Sequence, residues 1–253
     1  MIEEKLAFQD NEIDLPLRPI YLFADSQLLF WKPDGRNTLL RQVVQRLGKS
    51  DVRAAYVGVS NEDRPEFFEL FQAAASVAGI SRCEFVRSRF AVVDELALNN
   101  ADVVVLAGGD AVKGWDVIVR RGIKETLVNK YLGGGVLIGV SAGAMQLGQV
   151  VWPEGNPQSE QIVRTLGLVP FVIGVHDRTQ EWADLRRVVA SLGENTCGLG
   201  IPAGGGLIYH PDHSLEVLRF PAVELCQREQ GLTESLLLPS ETPKPLPDSP
   251  SKG

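Results

Sequence analysis

The sequence has few cysteines, and no spacing pattern connects them. Cys83, Cys197 and Cys226 are odd in number, lie far apart and include no C-x-x-C pair. The sequence therefore predicts neither a disulfide framework nor a zinc site. We expect three buried thiols, which are typical of a protein in a reducing compartment.

The sequence also lacks an excess of positive charge and long apolar runs. Its formal net charge is -7 and its pI is about 5.1, whereas nucleic acids and anionic membranes attract clustered lysine and arginine. No apolar run reaches the ~18 residues of a membrane span, and residues 1–5 lack the apolar segment of a secretory leader. We expect a cytoplasmic protein with no nucleic-acid and no membrane partner, whose substrate is a small molecule or a peptide.

The sequence does contain a regular alternation of strand-like and helix-like segments. Apolar runs predict strands at 19–24, 53–59, 83–86 and 102–107, and helical spacing of apolar residues predicts helices at 38–47, 64–78, 92–99 and 115–131. Later segments predict an extended run at 166–175, a helix at 181–192 and an interrupted strand at 197–209. Such alternation is typical of an α/β protein. We expect one domain with three layers, α/β/α, around a mostly parallel, doubly wound sheet.

The two ends of the chain differ from this alternating region. Residues 1–17 carry acidic residues without strong periodicity, and they predict a loosely docked arm. Residues 240–253 are rich in proline and serine, which predicts a disordered tail. The α/β domain then occupies residues 18–239, a length that suits one large hydrophobic core.

The segment from Gly134 to Leu147 carries the strongest functional signal. An apolar run at 136–140 predicts a buried strand, and it stops at Ser141 within a G-x-S-x-G pattern before a helix-forming run begins. A serine on such a tight turn projects from the carboxyl edge of the sheet, and the N–H of Ala142 at the helix start can hold an oxyanion. The alternatives are a plain glycine-rich turn and an anion-binding loop without covalent chemistry.

A second glycine-rich corner follows the strand predicted at 102–107. Gly108, Gly109 and Asp110 lie where that strand ends, at the edge where ligands bind in such sheets. If this strand neighbours the strand before Ser141, the N–H of Gly109 becomes a second oxyanion donor. By itself the Gly-Gly pair predicts only a turn; beside the serine we favour the oxyanion role.

An activated serine needs a base, and the chain has three histidines. His176 ends a predicted strand at the same sheet edge as Ser141, so we take His176 as the base. His210 and His213, with Asp212 between them, lie in a predicted turn; a metal site there is the weaker alternative. A carboxylate should orient the imidazole. The candidates for this acid are Glu154, which we favour, Glu160, Asp177 and Asp184.

These motifs resemble peptidase family S51, which includes aspartyl dipeptidase (dipeptidase E) and cyanophycinase. The resemblance rests on Gly139–Ala144, on Gly108-Gly109-Asp110 and on Leu166-Gly167-Leu168 with His176 downstream. It implies a class I glutamine amidotransferase-like fold, a serine, histidine and acid triad, and hydrolysis of amide bonds next to aspartate.

Carried over to this sequence, the resemblance makes Ser141 the nucleophile, His176 the base and Glu154 the acid. Gly109 and Ala142 then supply the oxyanion donors. No metal and no organic cofactor is implied. The expected partner is a small peptide, such as an aspartyl dipeptide or a cyanophycin-like β-aspartyl-arginine, with a homodimer as a possible assembly.

The sequence departs from the family in segments that we expect to contact the substrate. Ala111 stands where cyanophycinase-like members have glutamine, Ala203 stands where an acidic residue is common, and Ala24-Asp25-Ser26 replaces a glycine-rich strand end. Asp110, Arg178 and Arg186 are our candidates for substrate contact. For the two arginines the reason is that a guanidinium can hold a carboxylate through two hydrogen bonds. The alternative for Arg186 is a solvated helix face.

Two other functions fit the same motifs. A catalytically inactive, ligand-binding or scaffold relative would keep the fold while its substrate loops changed, as at Ala111 and Ala203. An esterase would use the same serine elbow on acyl esters. An amidotransferase is disfavoured, because those enzymes carry cysteine where this chain has Ser141.

Overall fold

Apolar runs form the centre of the main sheet because their side chains are covered on both faces. The computed structural model describes residues 17–153, 161–176 and 181–239. Within these ranges, β1 (Ile20–Phe23), β4 (Val103–Leu106) and β5 (Val136–Val140) are buried along their whole length. Strands without an exposed face are expected in a parallel sheet that helices cover on both sides.

The remaining elements follow the chain in regular order. The other strands are β2 (Arg53–Val57), β3 (Arg82–Val86), β6 (Val150–Val151), β7 (Val163–Arg164), β8 (Val172–Val175), β9 (Cys197–Ile201), β10 (Gly206–Tyr209), β11 (Leu215–Leu218), β12 (Ala222–Arg228) and β13 (Gly231–Leu237). The α-helices are α1 (Leu39–Arg46), α2 (Pro65–Ala78), α3 (Val92–Asn100), α4 (Ala111–Arg120), α5 (Ile123–Leu132), α6 (Ala142–Leu147) and α7 (Ala183–Leu192). Short 3₁₀ helices lie at Ser26–Leu29 and Val59–Asn61. None of the helices in the described ranges is long and apolar enough to cross a bilayer.

The main sheet has the strand order β11-β10-β1-β5-β4-β2-β3. Strands β1, β5, β4, β2 and β3 are parallel, whereas β10 and β11 are antiparallel to their neighbours. The register pairs Phe23 with Val140 and Leu106 with Gly139. The carboxyl ends of β1, β5 and β4 therefore meet at one edge of the sheet, as the mostly parallel, doubly wound topology predicts.

Two separate hydrophobic cores flank the main sheet. One contains the inward faces of α1 and α2, including Leu40 and Phe71, against Tyr56 and Ile138. The other contains residues from the helices α3 to α7, among them Trp115, against the opposite face of the sheet. Helices on both faces confirm the three-layer α/β/α architecture in one domain. The exact bounds 18–239 stay a prediction, and residues 1–16 and 240–253 lie outside the described residues.

A second sheet, with strand order β13-β12-β9-β8, was not predicted from the sequence. Strands β12 and β13 contain interleaved polar and charged residues, so they lack the continuous apolar run that marks the central strands. The strand predicted at 197–209 is two strands in two sheets, because a turn at 202–205 redirects the chain. The helix predicted at 115–131 is also two helices, separated at Gly122, whose φ is +72°.

The expectation of three free thiols is wrong. Cys197 and Cys226 form a disulfide, and they lie opposite each other in the antiparallel pairing of β9 with β12. An odd number of cysteines is compatible with one bridge, but no short-range pattern indicates the strand pairing that brings the two cysteines together. The cysteines therefore give no support to a reducing compartment, and the cytoplasmic location stays a prediction.

Cys83 is the free cysteine of the described residues, and it should react slowly. Burial raises the pKa of its thiol to about 11, with a further contribution from the Glu84 charge. At pH 8 only about one molecule in a thousand then carries the thiolate, which is the form that reacts with alkylating agents. We expect slow alkylation by iodoacetamide in the native state, measured by intact mass.

Unfolding without reductant should expose one reactive thiol, and unfolding with reductant should expose all three. A Cys83→Ser variant is the control, because it should take no label until reductant is added. Three labelled thiols in unreduced, unfolded protein would contradict the disulfide.

Candidate active site

Ser141 lies on a strained turn between β5 and α6. Its φ is 51° and its ψ is -111°, a conformation in which a side chain crowds its own backbone. Such strain costs about 1–3 kcal/mol and persists only where the surroundings hold it. The Ser141 N–H donates to the Phe23 carbonyl on β1 at 2.8 Å, and the Ser141 carbonyl accepts from the Ala144 N–H at 2.9 Å. Hydrogen bonds to two elements thus fix the serine at the sheet edge.

Both glycines of the G-x-S-x-G pattern are required by close packing. A Cβ on Gly139 would lie 2.5 Å from the Ala144 nitrogen. A Cβ on Gly143 would lie 2.2 Å from the carbonyl oxygen of Leu106 on β4. Neither site has space for a side chain, so the turn that presents Ser141 depends on both glycines.

His176 reaches Ser141 from the second sheet. It directly follows β8, and its N–H donates to the Ile201 carbonyl on β9 at 3.0 Å. The Ser141 Oγ and the His176 Nε2 are 2.9 Å apart. When the imidazole carries its proton on Nδ1, Nε2 accepts the hydroxyl proton in this hydrogen bond. The structure therefore brings together the two residues that sequence analysis selected as nucleophile and base.

The loop after β4 lies directly against Ser141. A Cβ on Gly108 would be 3.3 Å from the Ser141 Cβ. Gly109 has φ +135°, and a Cβ there would lie 1.9 Å from the Ser60 carbonyl oxygen. That same oxygen accepts the Asp110 N–H at 2.8 Å, so the loop is fixed against the segment after β2.

The backbone N–H groups of Gly109 and Ala142 point to a shared role. Their strands β4 and β5 are neighbours, as the oxyanion prediction requires. Outside the helices and strands of the described residues, no backbone carbonyl accepts from either N–H. An oxygen that develops negative charge beside Ser141 is the acceptor that the prediction assigns to both groups.

Asp110 caps α4 at the edge of the site. Its carboxylate accepts from the Val112 and Lys113 N–H groups at 3.1 and 3.0 Å, and it lies 3.5 Å from the Lys113 ammonium. Asp110 also lines the cavity at Ser141. The Asp110 carboxylate therefore caps α4. It also lies close enough to the cavity for the predicted contact with substrate.

Ser141 and His176 open into a cavity of about 580 Å³. This volume lies in the range of small-molecule sites. The cavity lies above the carboxyl ends of β1, β5, β4 and β2. One part of its wall is apolar, and it consists of Leu29, Tyr56, Phe67, Leu70 and Phe71. The charged residues that line it in the described ranges are Asp25, Glu62, Arg64 and Asp110.

The other predicted site residues fall into two groups. Glu154, Glu160, Asp177 and Arg178 lie outside the described residues. Asp184 forms an ion pair with Arg187 at 3.4 Å. Arg186 forms an ion pair with Glu234 on β13 and donates from Nε to the Glu181 carbonyl at 2.7 Å. Arg186 is not among the residues that line the cavity, so the structure does not bring it together with Ser141.

The histidines of the 210–213 turn have local partners. His210 Nε2 lies 3.2 Å from a Glu216 carboxylate oxygen, and His213 Nδ1 lies 2.5 Å from the Tyr209 hydroxyl. Among the residues that the structure describes, no cluster of three histidine, cysteine or acidic side chains is suited to hold a metal ion. The turn interpretation of this segment fits these contacts.

The part of the cavity at α2 was not predicted from the sequence. The pattern at 64–78 predicts only a helix, whereas Arg64, Phe67 and Leu70 line the cavity. A signal was present: Phe67, Phe68, Leu70 and Phe71 are four large apolar residues within five positions. This stripe is wider than the face that one helix buries against a sheet. Burial in the core therefore does not account for its outer residues.

Comparison with known proteins agrees with this geometry. The model of peptidase family S51 matches residues 31–214, a range that includes Ser141 and His176. Peptidase E of Streptomyces coelicolor is 32% identical over 130 residues, which cover 49% of this chain and 51% of that protein. The match thus spans about half the length of this curated relative.

A solved structure supports the fold independently. The crystal structure of a peptidase from an acI-B1 Actinobacterium superposes with a TM-score of 0.66, covering 90% of this chain and 97% of that one. Its sequence identity is 16%, so this likeness shows a shared fold. The family model, in contrast, matches well over half of the sequence and includes the serine elbow. The chain belongs to peptidase family S51.

Proposed function

We propose that this protein is a serine peptidase that cleaves amide bonds next to aspartate in small peptides. The observation that carries the proposal is the 2.9 Å contact between Ser141 Oγ and His176 Nε2 on a strained elbow. A serine hydroxyl needs an adjacent base to become a nucleophile at neutral pH. Family membership and the peptidase E relative support a peptide as the substrate.

In the proposed mechanism, His176 takes the hydroxyl proton as Ser141 attacks the scissile carbonyl. The N–H groups of Gly109 and Ala142 donate to the oxyanion of the tetrahedral intermediate. His176 then passes its proton to the leaving amine, and an acyl-enzyme on Ser141 remains. Water activated by His176 hydrolyses that ester. Every step uses side chains, backbone and water, so the mechanism requires no metal and no organic cofactor.

The third member of the triad is proposed from the sequence. Glu154, with Glu160 as the alternative, would accept a hydrogen bond from the Nδ1–H of His176 and stabilise the imidazolium. Both residues lie between Ser141 and His176 in the chain. For the aspartyl carboxylate of the substrate, Arg178 is the retained candidate, because Arg186 is engaged by Glu234 outside the cavity.

Hydrolysis of a dipeptide panel tests the proposal. We expect wild-type protein to release free amino groups from α- or β-aspartyl dipeptides. His176→Ala should lower kcat by about 10³-fold or more, because general base catalysis and the imidazolium both disappear. The comparison with short acyl esters is made in parallel. A matched control is His210→Ala, which alters a histidine in the distant turn and should leave the rate unchanged.

The two alternative functions give different results in the same assay. A rate of ester hydrolysis that exceeds the rate of peptide hydrolysis would identify the protein as an esterase. Binding of dipeptides without turnover, unaffected by His176→Ala, would assign the chain to the inactive, ligand-binding class. Equal peptide hydrolysis by wild type and His176→Ala would contradict the proposed base.

A further inference from the structure

We propose that the apolar wall of the cavity is the subsite for the leaving residue of the substrate. It takes a large apolar side chain, and Arg64 holds the free carboxylate of the same residue. This inference rests on the proposed peptidase function and adds to it the class of leaving residue: an aspartyl dipeptide ending in phenylalanine, leucine or a similar residue.

The wall exposes apolar surface that the fold does not use. Phe67 and Leu70 lie about one turn apart on α2, and 41% and 40% of their surface is exposed. Both line the cavity that contains Ser141. Behind them Phe71 is buried and stacks on Tyr56 with ring centroids 5.5 Å apart. An apolar side chain that covers Phe67 and Leu70 would remove this surface from water, which favours binding.

Tyr56, which also belongs to the apolar wall, has an uncharged hydroxyl group. The Asn61 side-chain amide donates to its hydroxyl oxygen at 2.9 Å, and burial raises the pKa of Tyr56 to about 12. The phenol therefore stays neutral at any physiological pH, and its oxygen already accepts one hydrogen bond. The face of its aromatic ring can pack against an aliphatic or aromatic group of a ligand.

The sheet order places the wall at the right distance from the chemistry. Tyr56 lies on β2 and Ser141 follows β5, with β4 between them. Two strand spacings are about 10 Å. At about 3.3–3.6 Å per extended residue, the wall lies within reach of the residue next to the scissile bond and its side chain. In a dipeptide, one residue leaves, and it carries the free carboxylate.

Arg64 lies beside the apolar wall and can bind that carboxylate. Its guanidinium carbon is 5.9 Å from the centre of the Phe67 ring. It also pairs with Glu66 at 3.2 Å, but the two side chains are 61% and 57% exposed. An ion pair in that exposure contributes little, so a substrate carboxylate can replace it. Among the described residues that line the cavity, Arg64 is the positively charged side chain.

A basic leaving residue, as in β-aspartyl-arginine, is the rival that the cavity's acidic residues suggest. Two of these carboxylates already have backbone partners. Asp25 accepts from the Gln27 N–H at 2.9 Å and from the Gly204 N–H at 2.6 Å, and Asp110 caps α4. Glu62, the third acidic residue, is exposed. The wall that we assign to the leaving residue consists of apolar side chains.

The apolar wall is tested by comparing the hydrolysis of aspartyl-phenylalanine, aspartyl-glycine and aspartyl-arginine. Each dipeptide is made with the α- or β-aspartyl bond that the wild-type protein hydrolyses. We expect kcat/KM for aspartyl-phenylalanine to exceed that for the other two by about tenfold or more, as apolar pockets discriminate. Leu70→Ala should lower kcat/KM for aspartyl-phenylalanine about tenfold and leave aspartyl-glycine within twofold. Val77→Ala, on an exposed part of α2 outside the cavity, is the matched control and should change neither.

The carboxylate contact is tested with the C-terminal amide of aspartyl-phenylalanine. Arg64→Gln should raise KM about tenfold for the free acid and leave KM for the amide unchanged, because the amide has no charge to lose. Arg64→Lys should restore part of the effect, since it keeps the charge but not the two parallel donors. Equal effects of Arg64→Gln on acid and amide would overturn this contact.

A binding measurement separates this inference from the proposed catalysis. Calorimetry on Ser141→Ala should show tighter binding of aspartyl-phenylalanine than of aspartyl-glycine or aspartyl-arginine. If wild type hydrolyses none of these peptides but the preference in binding persists, the peptidase proposal fails and the subsite stands. Equal binding of all three peptides, a preference for aspartyl-arginine, or no binding at all would overturn the subsite.

Discussion

Ser141→Ala is expected to lower kcat for aspartyl peptides by at least about 10⁴-fold, since a triad without its nucleophile loses the acyl-enzyme route. What activity remains would come from the oxyanion donors and from substrate positioning. The measurement is release of free amino groups under saturating substrate, beside wild type prepared in the same way. Substrate binding should persist, because the hydroxyl is small and the cavity walls are unchanged.

A covalent probe gives a second, independent outcome for the same variant. A fluorophosphonate should add once to wild type and not to Ser141→Ala. The matched control is Ser26→Ala, because Ser26 also lines the cavity but is not on the elbow; this variant should label like wild type. Retained turnover in Ser141→Ala, or label mapped to another serine, would remove Ser141 from the role of nucleophile.

Gly109→Ala should be the most damaging change among the glycines around the site. The new Cβ would lie 1.9 Å from the Ser60 carbonyl oxygen, and the φ of +135° is one that alanine rarely adopts. The loop must therefore shift from its position against Ser60, and the Gly109 N–H shifts with it. Loss of one oxyanion donor costs about 10²- to 10³-fold in kcat. We also expect about 2–4 kcal/mol less free energy of unfolding, measured by urea denaturation.

Gly79→Ala is the control that separates the strain of a positive φ from a steric clash beside the active site. Gly79 has φ +89°, but a Cβ there would meet no atom within 4 Å. We expect this variant to lose about 1 kcal/mol of stability and no activity. If Gly109→Ala kept full activity, or lost no more than Gly79→Ala, the proposed role of the loop beside Ser141 would be contradicted.

The central part of the fold and the reacting pair follow from short-range patterns in the sequence. The apolar runs at 103–106 and 136–140 predict buried parallel strands, and their glycine-rich ends predict turns at one sheet edge. His176 could be selected because it ends an apolar strand and because the chain offers only two other histidines. In each case a local pattern and the parallel topology impose the same position.

The second sheet, the disulfide and the wall on α2 depend on contacts that are distant in sequence. Cys197 and Cys226 are 29 residues apart, and only the antiparallel pairing of β9 with β12 brings them together. Arg64 faces the cavity because of how α2 packs on the sheet, and its own sequence neighbours do not indicate that orientation. Helical spacing gives the face of a helix, but it does not give the element or cavity that this face meets.

The two reacting side chains belong to different sheets, so natural selection on the rate also acts on the core between them. Ser141 follows β5 of the main sheet, and His176 follows β8 of the second. Behind them Gly148, just after α6, packs so tightly on β8 that a Cβ would lie 2.9 Å from the Ile173 Cγ1. A shift of about 1 Å between reacting groups can cost 10²-fold in rate. Apolar residues where α6 packs on β8 are therefore constrained by catalysis as well as by stability.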